Sequence, residues 1–393
     1  MQLLDGVIQH YEWGSTSSIP AILGRPEDGR PWAELWLGAH TSAPSLVGCR
    51  LEPLDELIAS EPRAALGNEV ADRFDGSLPF LLKILAAGAP LSLQSHPSIA
   101  QAEAGYARED AAGVPVDAPN RSFRDRNHKP ELICALTRFD ALCGFRDPAT
   151  TLEVLETIPT SALDDVRARV RLAADAGGGL DDLLAHLLTL SPAEAPALTE
   201  SVVAACRTAN AAPFADVRSM AVSLGERYPG DAGIVTALLL NLVHLEPGEA
   251  LFLGAGNLHA YLHGTGVEIM ANSDNVLRGG LTPKHVDVDT LLDVVEARPL
   301  PVDVQRPQVI DGVATYRTPV PEFSLARLEV DRPVVTEGPA ILLCTAGAVE
   351  AGDHTLDRGA AAWLPAADGP VELSGRGTVF RAGVGSRPID APA

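Results

Sequence analysis

The chain has few aromatic residues and few cysteines, and each shortage limits what it can be. Phe, Trp and Tyr make up 5% of its 393 residues, so the hydrophobic cores must be built mainly from Ala, Leu and Val. The five cysteines are scattered and include no Cys-x-x-Cys pair. An odd number of widely spaced cysteines is typical of reduced thiols in the cytosol and not of a disulfide framework.

Long apolar runs and an export signal are also missing. The longest apolar stretch, 234–245, is interrupted by Thr236, Asn241 and His244 and falls well short of the ~20 residues that a membrane-spanning helix needs. The opening sequence MQLLDGVIQHYEWGS lacks the basic start and apolar centre of a signal peptide. We therefore expect a cytoplasmic protein with no membrane partner.

Positive charge is in short supply. Lys and Arg number 30 against 52 Asp and Glu, which gives a formal net charge of −22. This excess repels nucleic acid, so we expect no nucleic-acid partner. It also repels small phosphorylated molecules, so any phosphate site must be built locally from a few cations.

The remaining composition is that of a globular protein, with 46% hydrophobic and 21% charged residues. At roughly 100–200 residues per domain, the length predicts two or three packed units. Residues 1–147 alternate short apolar runs with turn residues, which predicts strands at 32–38, 78–85, 91–94 and 131–136, with helices near 53–59 and 99–109. Apolar residues then recur every three or four positions, which predicts a helical insertion over 148–232. Residues 233–299 return to a strand pattern and are expected to complete the first β domain. Residues 300–393 are expected to form a separate, smaller β-sandwich.

Two short segments in the first β domain carry candidate functional side chains. Ser92, Gln94 and His96 are spaced two apart and share one face of a predicted strand. Lys129 and Glu131 alternate in the same way before an apolar run, where a buried charge must be paired or bound to a metal. A solvated strand edge and a surface salt bridge remain the ordinary alternatives for these two segments.

A third segment, 254–263, combines a glycine-rich turn with a strand that places His259, Tyr261 and His263 on one face. A dinucleotide-binding turn is disfavoured, because the third glycine and the following helix are missing. A helical zinc pair is also disfavoured, since no Glu follows the first His and Gly264 would cut the helix short.

A fourth segment, 268–284, is polar and holds two cations, Arg278 and Lys284. Asp and Asn side chains bind hydroxyl groups, and an arginine offers a planar fork to phosphate. The segment is therefore suited to a polyhydroxylated, phosphorylated ligand, with an ordinary surface loop as the alternative.

Taken together, the motifs resemble the type I mannose-6-phosphate isomerase family, a zinc-containing branch of the cupin-like jelly rolls. The resemblance rests on residues 11–14, 33–38, 81–83, 94–97, 127–131, 256–261 and 272–284. It implies a mainly β fold with a cupin-like jelly-roll catalytic domain, an α-helical domain and a second, smaller jelly roll. The implied reaction is the aldose–ketose isomerisation of mannose 6-phosphate and fructose 6-phosphate through an enediol, a reaction that serves GDP-mannose biosynthesis.

The resemblance also implies roles for individual residues. One zinc ion per chain is expected on Gln94, His96, Glu131 and His259. Arg278 resembles the family's catalytic arginine. The candidates for proton transfer and ring opening are Lys129, Glu268, Asp274, Tyr261 and His263, the last also counted as a substrate contact. The other expected substrate contacts are Ser92 and Lys284 at the phosphate and Trp13 and Glu34 in the pocket wall.

Two other kinds of protein would share part of this pattern. A non-catalytic cupin that binds a sugar, or serves as a regulatory metal module, would keep the metal ligands but has no need of Arg278 and Lys284 beside Asp274. An iron-dependent cupin oxygenase would use a metal set richer in histidine, and Gln94 argues against it. We expect an isomerase that acts as a monomer.

Overall fold

The structure is a computed structural model that describes residues 1–209 and 213–386. Its strands are β1 (Gln2–Asp5), β2 (Val7–Gln9), β3 (Glu34–Gly38), β4 (Leu46–Val47), β5 (Glu52–Pro53), β6 (Phe80–Ala87), β7 (Leu93–Ser95), β8 (Glu131–Ala135), β9 (Phe139–Phe145), β10 (Leu240–Leu245), β11 (Ala250–Leu253), β12 (His259–Ala271), β13 (Leu277–Gly280), β14 (Val304–Gln305), β15 (Val313–Tyr316), β16 (Ser324–Val330), β17 (Val334–Thr336), β18 (Ala340–Ala351), β19 (His354–Asp357), β20 (Ala361–Leu364) and β21 (Val371–Gly383).

Helices fill much of the remaining chain. They are α1 (Ser18–Ile22), α2 (Leu54–Ser60), α3 (Pro62–Leu66), α4 (Asn68–Arg73), α5 (Ile99–Ala111), α6 (Pro148–Glu156), α7 (Asp164–Ala176), α8 (Asp181–Leu188), α9 (Glu194–Thr208), α10 (Ala215–Arg227), α11 (Gly233–Leu238) and α12 (Val288–Val294), with 3₁₀ turns at Ser161–Leu163 and Ala366–Asp368. In the described part of the chain, no helix is both long and apolar enough to span a membrane.

Strand β12 pairs with several strands of the sheet that carries the predicted motifs. Its second half pairs with β6 and β8, whereas its first half pairs with β9 and, at His259, with β7. The change of partners falls at Gly264, whose φ of +125° favours glycine. A Cβ there would lie 2.6 Å from the carbonyl oxygen of Arg138. One continuous strand can therefore bring side chains from both of its halves to the same region.

The helical segment agrees with the predicted insertion at its start and extends beyond its predicted end. Helix α7 stops at Gly177, which adopts the left-handed conformation expected of a glycine after a helix. Residues 233–238 were expected to belong to the β pattern, but they form α11. Ile234 and Val235 are fully buried in the core shared by the helices and the first sheet, so tertiary packing outweighs their β propensity.

The two sheets cross the predicted domain boundaries at both ends. Strand β1 lies in the second sheet, where Leu3 pairs with Ala362 of β20, although residues 1–147 were assigned to the first domain. Strand β14 lies beyond residue 300 but pairs with β11 of the first sheet. Backbone pairing of distant segments leaves no local sequence pattern, so the sequence did not show that each of these two strands joins the other sheet. The division into domains stays a prediction. The predicted mainly β fold with a helical insertion is confirmed, and its two sheets are antiparallel.

Candidate metal centre and active site

Three buried side chains with metal-binding atoms converge at the ends of neighbouring strands. Nε2 of His96 lies 3.4 Å from Oε1 of Glu131, and Nε2 of His259 lies 3.6 Å from Oε2 of the same carboxylate. Glu131 begins β8 and His259 begins β12, while His96 directly follows β7. All the ligand atoms of this group lie within 4.8 Å of one another, which is close enough for one ion to contact all three.

Each imidazole is oriented by a hydrogen bond on its far side. Nδ1–H of His96 donates to the carbonyl of Asn275 at 2.8 Å, and Nδ1–H of His259 donates to the carbonyl of Asn257 at 3.0 Å. These bonds fix the tautomer that leaves the Nε2 lone pair free on the side facing Glu131. Burial lowers the pKa of His96 to about 4, so the ring is neutral near neutral pH, as a metal ligand must be.

The cluster also contains polar atoms that the protein leaves unsatisfied. Within the described residues, Nε2 of His96 and Oε2 of Glu131 are buried and have no hydrogen-bond partner. Buried polar atoms of this kind are costly unless a ligand, ion or water satisfies them. The donor set of two imidazoles and a carboxylate suits zinc, so the residues present fit the metal that the family resemblance implies.

Gln94 completes the group from the side of β7. It pairs directly with His259 across the strands, and its Nε2 lies 3.3 Å from Nε2 of His259. A half-turn of the terminal amide would present its oxygen at that position, because the two ends of the amide have nearly the same shape. Gln94 can therefore supply a fourth, neutral oxygen ligand.

A cavity of about 1030 Å³ opens beside this cluster. Among the predicted site residues, those lining it are Trp13, Glu34, Ser92, Gln94, Lys129, Glu131, Tyr261, Glu268, Asp274, Arg278 and Lys284. His96 and His259 lie behind them against Glu131. The structure thus brings nearly all of the predicted residues to one place.

The base of this cavity carries a chain of buried charged and polar groups. Nζ of Lys83 lies 3.2 Å from Glu268 and 3.4 Å from Glu34, and the hydroxyl of Tyr261 donates to Glu268 at 2.8 Å. Burial raises the pKa of Glu268 above its ordinary value, although Lys83 opposes the shift. Burial would lower the pKa of Lys83, but the carboxylates of Glu34 and Glu268 outweigh burial and raise it. Lys83 therefore stays charged, and the carboxyl group of Glu268 holds a proton more readily than an ordinary glutamate does.

Glu131 has the opposite electrostatic environment. Burial would raise its pKa, but the ammonium of Lys129, 3.0 Å away, together with His96 and His259, outweighs burial and holds the pKa well below its ordinary value. The pKa values of these two buried carboxyl groups are thereby shifted in opposite directions. Glu131 is a candidate anionic metal ligand, and Glu268 is a candidate for proton transfer.

Three cations gather on another wall of the cavity. Burial lowers the pKa of Arg278, and the neighbouring Arg124 lowers it further. The pKa of Lys284 is lowered by burial and then by both arginines. Within the described residues, none of these three side chains forms an ion pair with a carboxylate. A cluster of unpaired cations is a local exception on this acidic protein, and it provides the charge that a bound phosphate requires.

Two predictions about this region are wrong in detail. His263 was expected to share a face with His259 and Tyr261, but a bulge between Tyr261 and His263 breaks the alternation. His263 is exposed and does not line the cavity. The Asn side chains of the segment 268–284 were expected to bind ligand hydroxyls, but that of Asn275 is buried and hydrogen-bonded to residues 125–127. Of the polar loop 272–275, only Asp274 lines this cavity, 3.5 Å from Nε2 of His40.

Sequence reasoning missed Lys83 and Arg124 as site residues. Lys83 is the one charged residue of the otherwise apolar strand β6, which is a visible signal of a buried, paired charge. Arg124 lies in the basic segment RSFRDR, 121–126, where Arg121 is held by Glu109 and Asp110. The contrast between a paired and an unpaired arginine appears only in the folded protein.

The antiparallel sheets and a His–Glu–His cluster beside an open cavity define a metal-site protein of the cupin class. The family model described as the catalytic domain of type I phosphomannose isomerase matches residues 1–148. The mannose-6-phosphate isomerase of Salmonella typhimurium is 38% identical, over 97% of this chain and 99% of the relative. That of Rattus norvegicus is 33% identical, over 96% of this chain and 92% of the relative.

Solved structures give the same result. A mannose 6-phosphate isomerase bound with zinc and yttrium superposes with a TM-score of 0.89 at 35% identity, over 98% of this chain and 100% of that one. The Salmonella typhimurium enzyme bound to its substrate, fructose 6-phosphate, and to zinc also has a TM-score of 0.89, with the same coverage. This chain belongs to the type I phosphomannose isomerase family of enzymes.

Proposed function

We propose that the protein interconverts mannose 6-phosphate and fructose 6-phosphate, with one zinc ion held by Gln94, His96, Glu131 and His259. The observation that carries the proposal is the meeting, in one cavity, of a buried metal-ligand cluster with unsatisfied atoms and a cluster of unpaired cations. The ligand cluster would bind the sugar oxygens through the metal, and the cation cluster would bind the phosphate. Zinc bound there would polarise the oxygens on C1 and C2 of the open-chain sugar.

The chain's own groups provide the remaining steps of the isomerisation. Glu268 is the group proposed to move the proton between C1 and C2, since its raised pKa suits a group that both accepts and returns a proton. The ammonium of Lys83 and the hydroxyl of Tyr261 hold its two oxygens. Lys129 and Asp274 are the candidates for moving the proton between the sugar oxygens and for ring opening, because both line the cavity.

The phosphate is assigned to Arg124 and Lys284, with Ser92 as a hydroxyl contact. Arg278 lies directly opposite Gln94 in the pairing of β13 with β7, so it can stabilise negative charge on the reacting end of the sugar as well as on the phosphate. Trp13 and Glu34 close the wall of the cavity. The proposal places the enzyme in the cytoplasm as a monomer that supplies GDP-mannose synthesis, and the five free thiols support that compartment.

A coupled assay with mannose 6-phosphate tests the proposal. Chelation should abolish turnover, and stoichiometric zinc should restore it; unphosphorylated mannose, the matched control substrate, should be a poor substrate. Zinc binding with no turnover of either sugar phosphate would instead favour a non-catalytic, metal-containing cupin. Full activity after complete removal of the metal would exclude the metal from the reaction.

A further inference from the structure

Asn275 makes an unusual set of contacts for a side chain that does not line the active-site cavity. It is completely buried in the connection between β12 and β13. Its amide oxygen accepts the backbone N–H groups of Arg124, at 2.7 Å, and Asp125, at 3.2 Å. Its amide nitrogen donates to the backbone carbonyls of Asp125, at 2.9 Å, and Asn127, at 2.8 Å. One side chain thus fixes the backbone of residues 124–127 on both its donor and acceptor sides.

The same residue is joined to the metal cluster through its backbone. The carbonyl oxygen of Asn275 accepts the Nδ1–H of His96. Segment 124–127 in turn leads within four residues to the ligand Glu131. Asn275 therefore connects one proposed metal ligand, His96, to segment 124–127. That segment carries Arg124 at its start and leads to another proposed ligand, Glu131.

A second anchor strengthens this connection. The carboxylate of Asp125 accepts the hydroxyl of Ser273 at 2.9 Å and the backbone N–H of Asp274 at 2.7 Å. Segment 124–127 is thereby held against residues 273–275 by several hydrogen bonds.

The guanidinium of Arg124 depends on this anchoring. In the described part of the chain it forms no ion pair or hydrogen bond, so no neighbouring side chain fixes its location. Its backbone, by contrast, is held by Asn275. A cation can contribute to binding only if it is kept at the right distance from the other groups that contact the ligand.

We propose that Asn275 is a positioning residue, which sets the distance between Arg124 at the phosphate end of the substrate and the metal ligands at the reacting end. The inference rests on the phosphate role proposed above for Arg124. It concerns the contribution of a residue that touches neither substrate nor metal.

Kinetics of Asn275→Ala in the zinc-loaded enzyme test this inference. Removing the amide leaves the carbonyl that orients His96, so zinc content should stay at one per chain. KM for mannose 6-phosphate should rise about tenfold with a smaller change in kcat, and the inhibition constant of inorganic phosphate should rise in parallel. Asn241→Ala is the matched control. It removes an amide that donates to the carbonyls of Cys143, Gly144 and Phe145 away from Arg124, and it should leave both constants unchanged.

A double-mutant cycle with Arg124→Ala separates positioning from general loosening of the fold. If Asn275 acts through Arg124, then Asn275→Ala should add little to the KM of Arg124→Ala. A multiplicative loss in the double variant, loss of zinc, or a KM no higher than that of Asn241→Ala would each overturn the inference while leaving the proposed function intact. An unchanged KM in Arg124→Ala alone would instead overturn the phosphate assignment on which it rests.

A milder variant keeps the test available if Asn275→Ala does not fold. Ser273→Ala removes a hydroxyl that donates to Asp125 and to the carbonyl of Asn127 and accepts the backbone N–H of Asn275. It should raise KM in the same direction by about threefold. An unchanged KM in this variant would also count against the inference.

Discussion

At the scale of single residues, the metal ligands differ in charge and in the groups that hold them. His96→Ala or His259→Ala should remove stoichiometric zinc and nearly all turnover, because each leaves an incomplete ligand set. Glu131→Gln should weaken zinc binding by removing the anionic ligand and leaving Lys129 without its partner. Elemental analysis of the purified variants checks this, and full zinc content in all three would remove these residues from the metal site.

Arg278 pairs with Gln94, a proposed metal ligand, across β13 and β7, so its substitution separates a role in the transition state from a role in binding. Arg278→Lys keeps the charge but loses the planar fork. A group that acts mainly in the transition state should lower kcat by about 10²-fold or more, whereas a pure phosphate contact should raise KM and spare kcat. Steady-state kinetics of the zinc-loaded variant decide between these. Arg169→Ala, an exposed arginine that pairs with Asp165 on α7, is the control that should leave both parameters unchanged.

How far the sequence alone could identify the site depends on the kind of residue. The proposed ligands and Arg278 lie in short motifs whose combination resembles one family, so their roles could be predicted from the sequence and stay predictions. Lys83 and Arg124 could not be assigned, because their roles depend on which carboxylates lie near them after folding. His263 was misplaced because strand alternation fails at a bulge. Gly264 indicates an irregularity in this strand, but the sequence does not show at which residue it occurs.

At the scale of elements, helix α5 supports the segment that carries Arg124. The carboxylate of Glu109 accepts the backbone N–H groups of Ser122 and Phe123 at 2.9 and 2.7 Å. The ring of Phe123 packs directly on Gly105, where an added Cβ would lie 2.4 Å from the ring. The helix was predicted correctly from its sequence, but this contact, which needs a residue without a side chain, was not.

Gly105→Ala tests the importance of that contact. The new methyl group must displace Phe123, so the variant should lose about 1–3 kcal/mol of stability despite alanine's better helix propensity. KM for mannose 6-phosphate should also rise, because Phe123 precedes Arg124. Urea denaturation and kinetics measure the two effects. Glu103→Ala, on the exposed face of the same helix, is the control, and equal behaviour of the two variants would show that the close packing does not matter.

At the scale of the whole molecule, the two sheets share one hydrophobic core. Leu4 of β1, Leu82 of β6 and Ile341 of β18 belong to the same buried cluster. The general arrangement of sheets and helices followed from the sequence pattern, since apolar periodicity is a local property. The assignment of β1 and β14 to sheets did not, because their partners are fixed by pairing over long sequence separations.

The shared core predicts that a substitution at the start of the chain weakens both sheets together. Leu4→Ala removes a side chain that is 5% exposed and should lower the free energy of unfolding by about 2–5 kcal/mol. Calorimetry should show the transition of the sheets shifting as one. Its exposed neighbour Leu3, 43% exposed, provides the control Leu3→Ala. Two separate transitions, with one of them unaffected by Leu4→Ala, would contradict a common core.

The pairing of β1 with β20 also bears on the order in which the protein can fold during synthesis. Residues 2–4 are synthesised well before their partners 361–363. Until then, the edge of β1 that faces β20 has no native partner, and an unpaired strand edge is prone to association with other chains. Strands β2, β3 and β6 of the first sheet follow β1 closely and pair with one another, so that sheet can begin to form during translation. The second sheet can close only after β20 has been made, so the nascent chain is most vulnerable to aggregation in the interval between the two events.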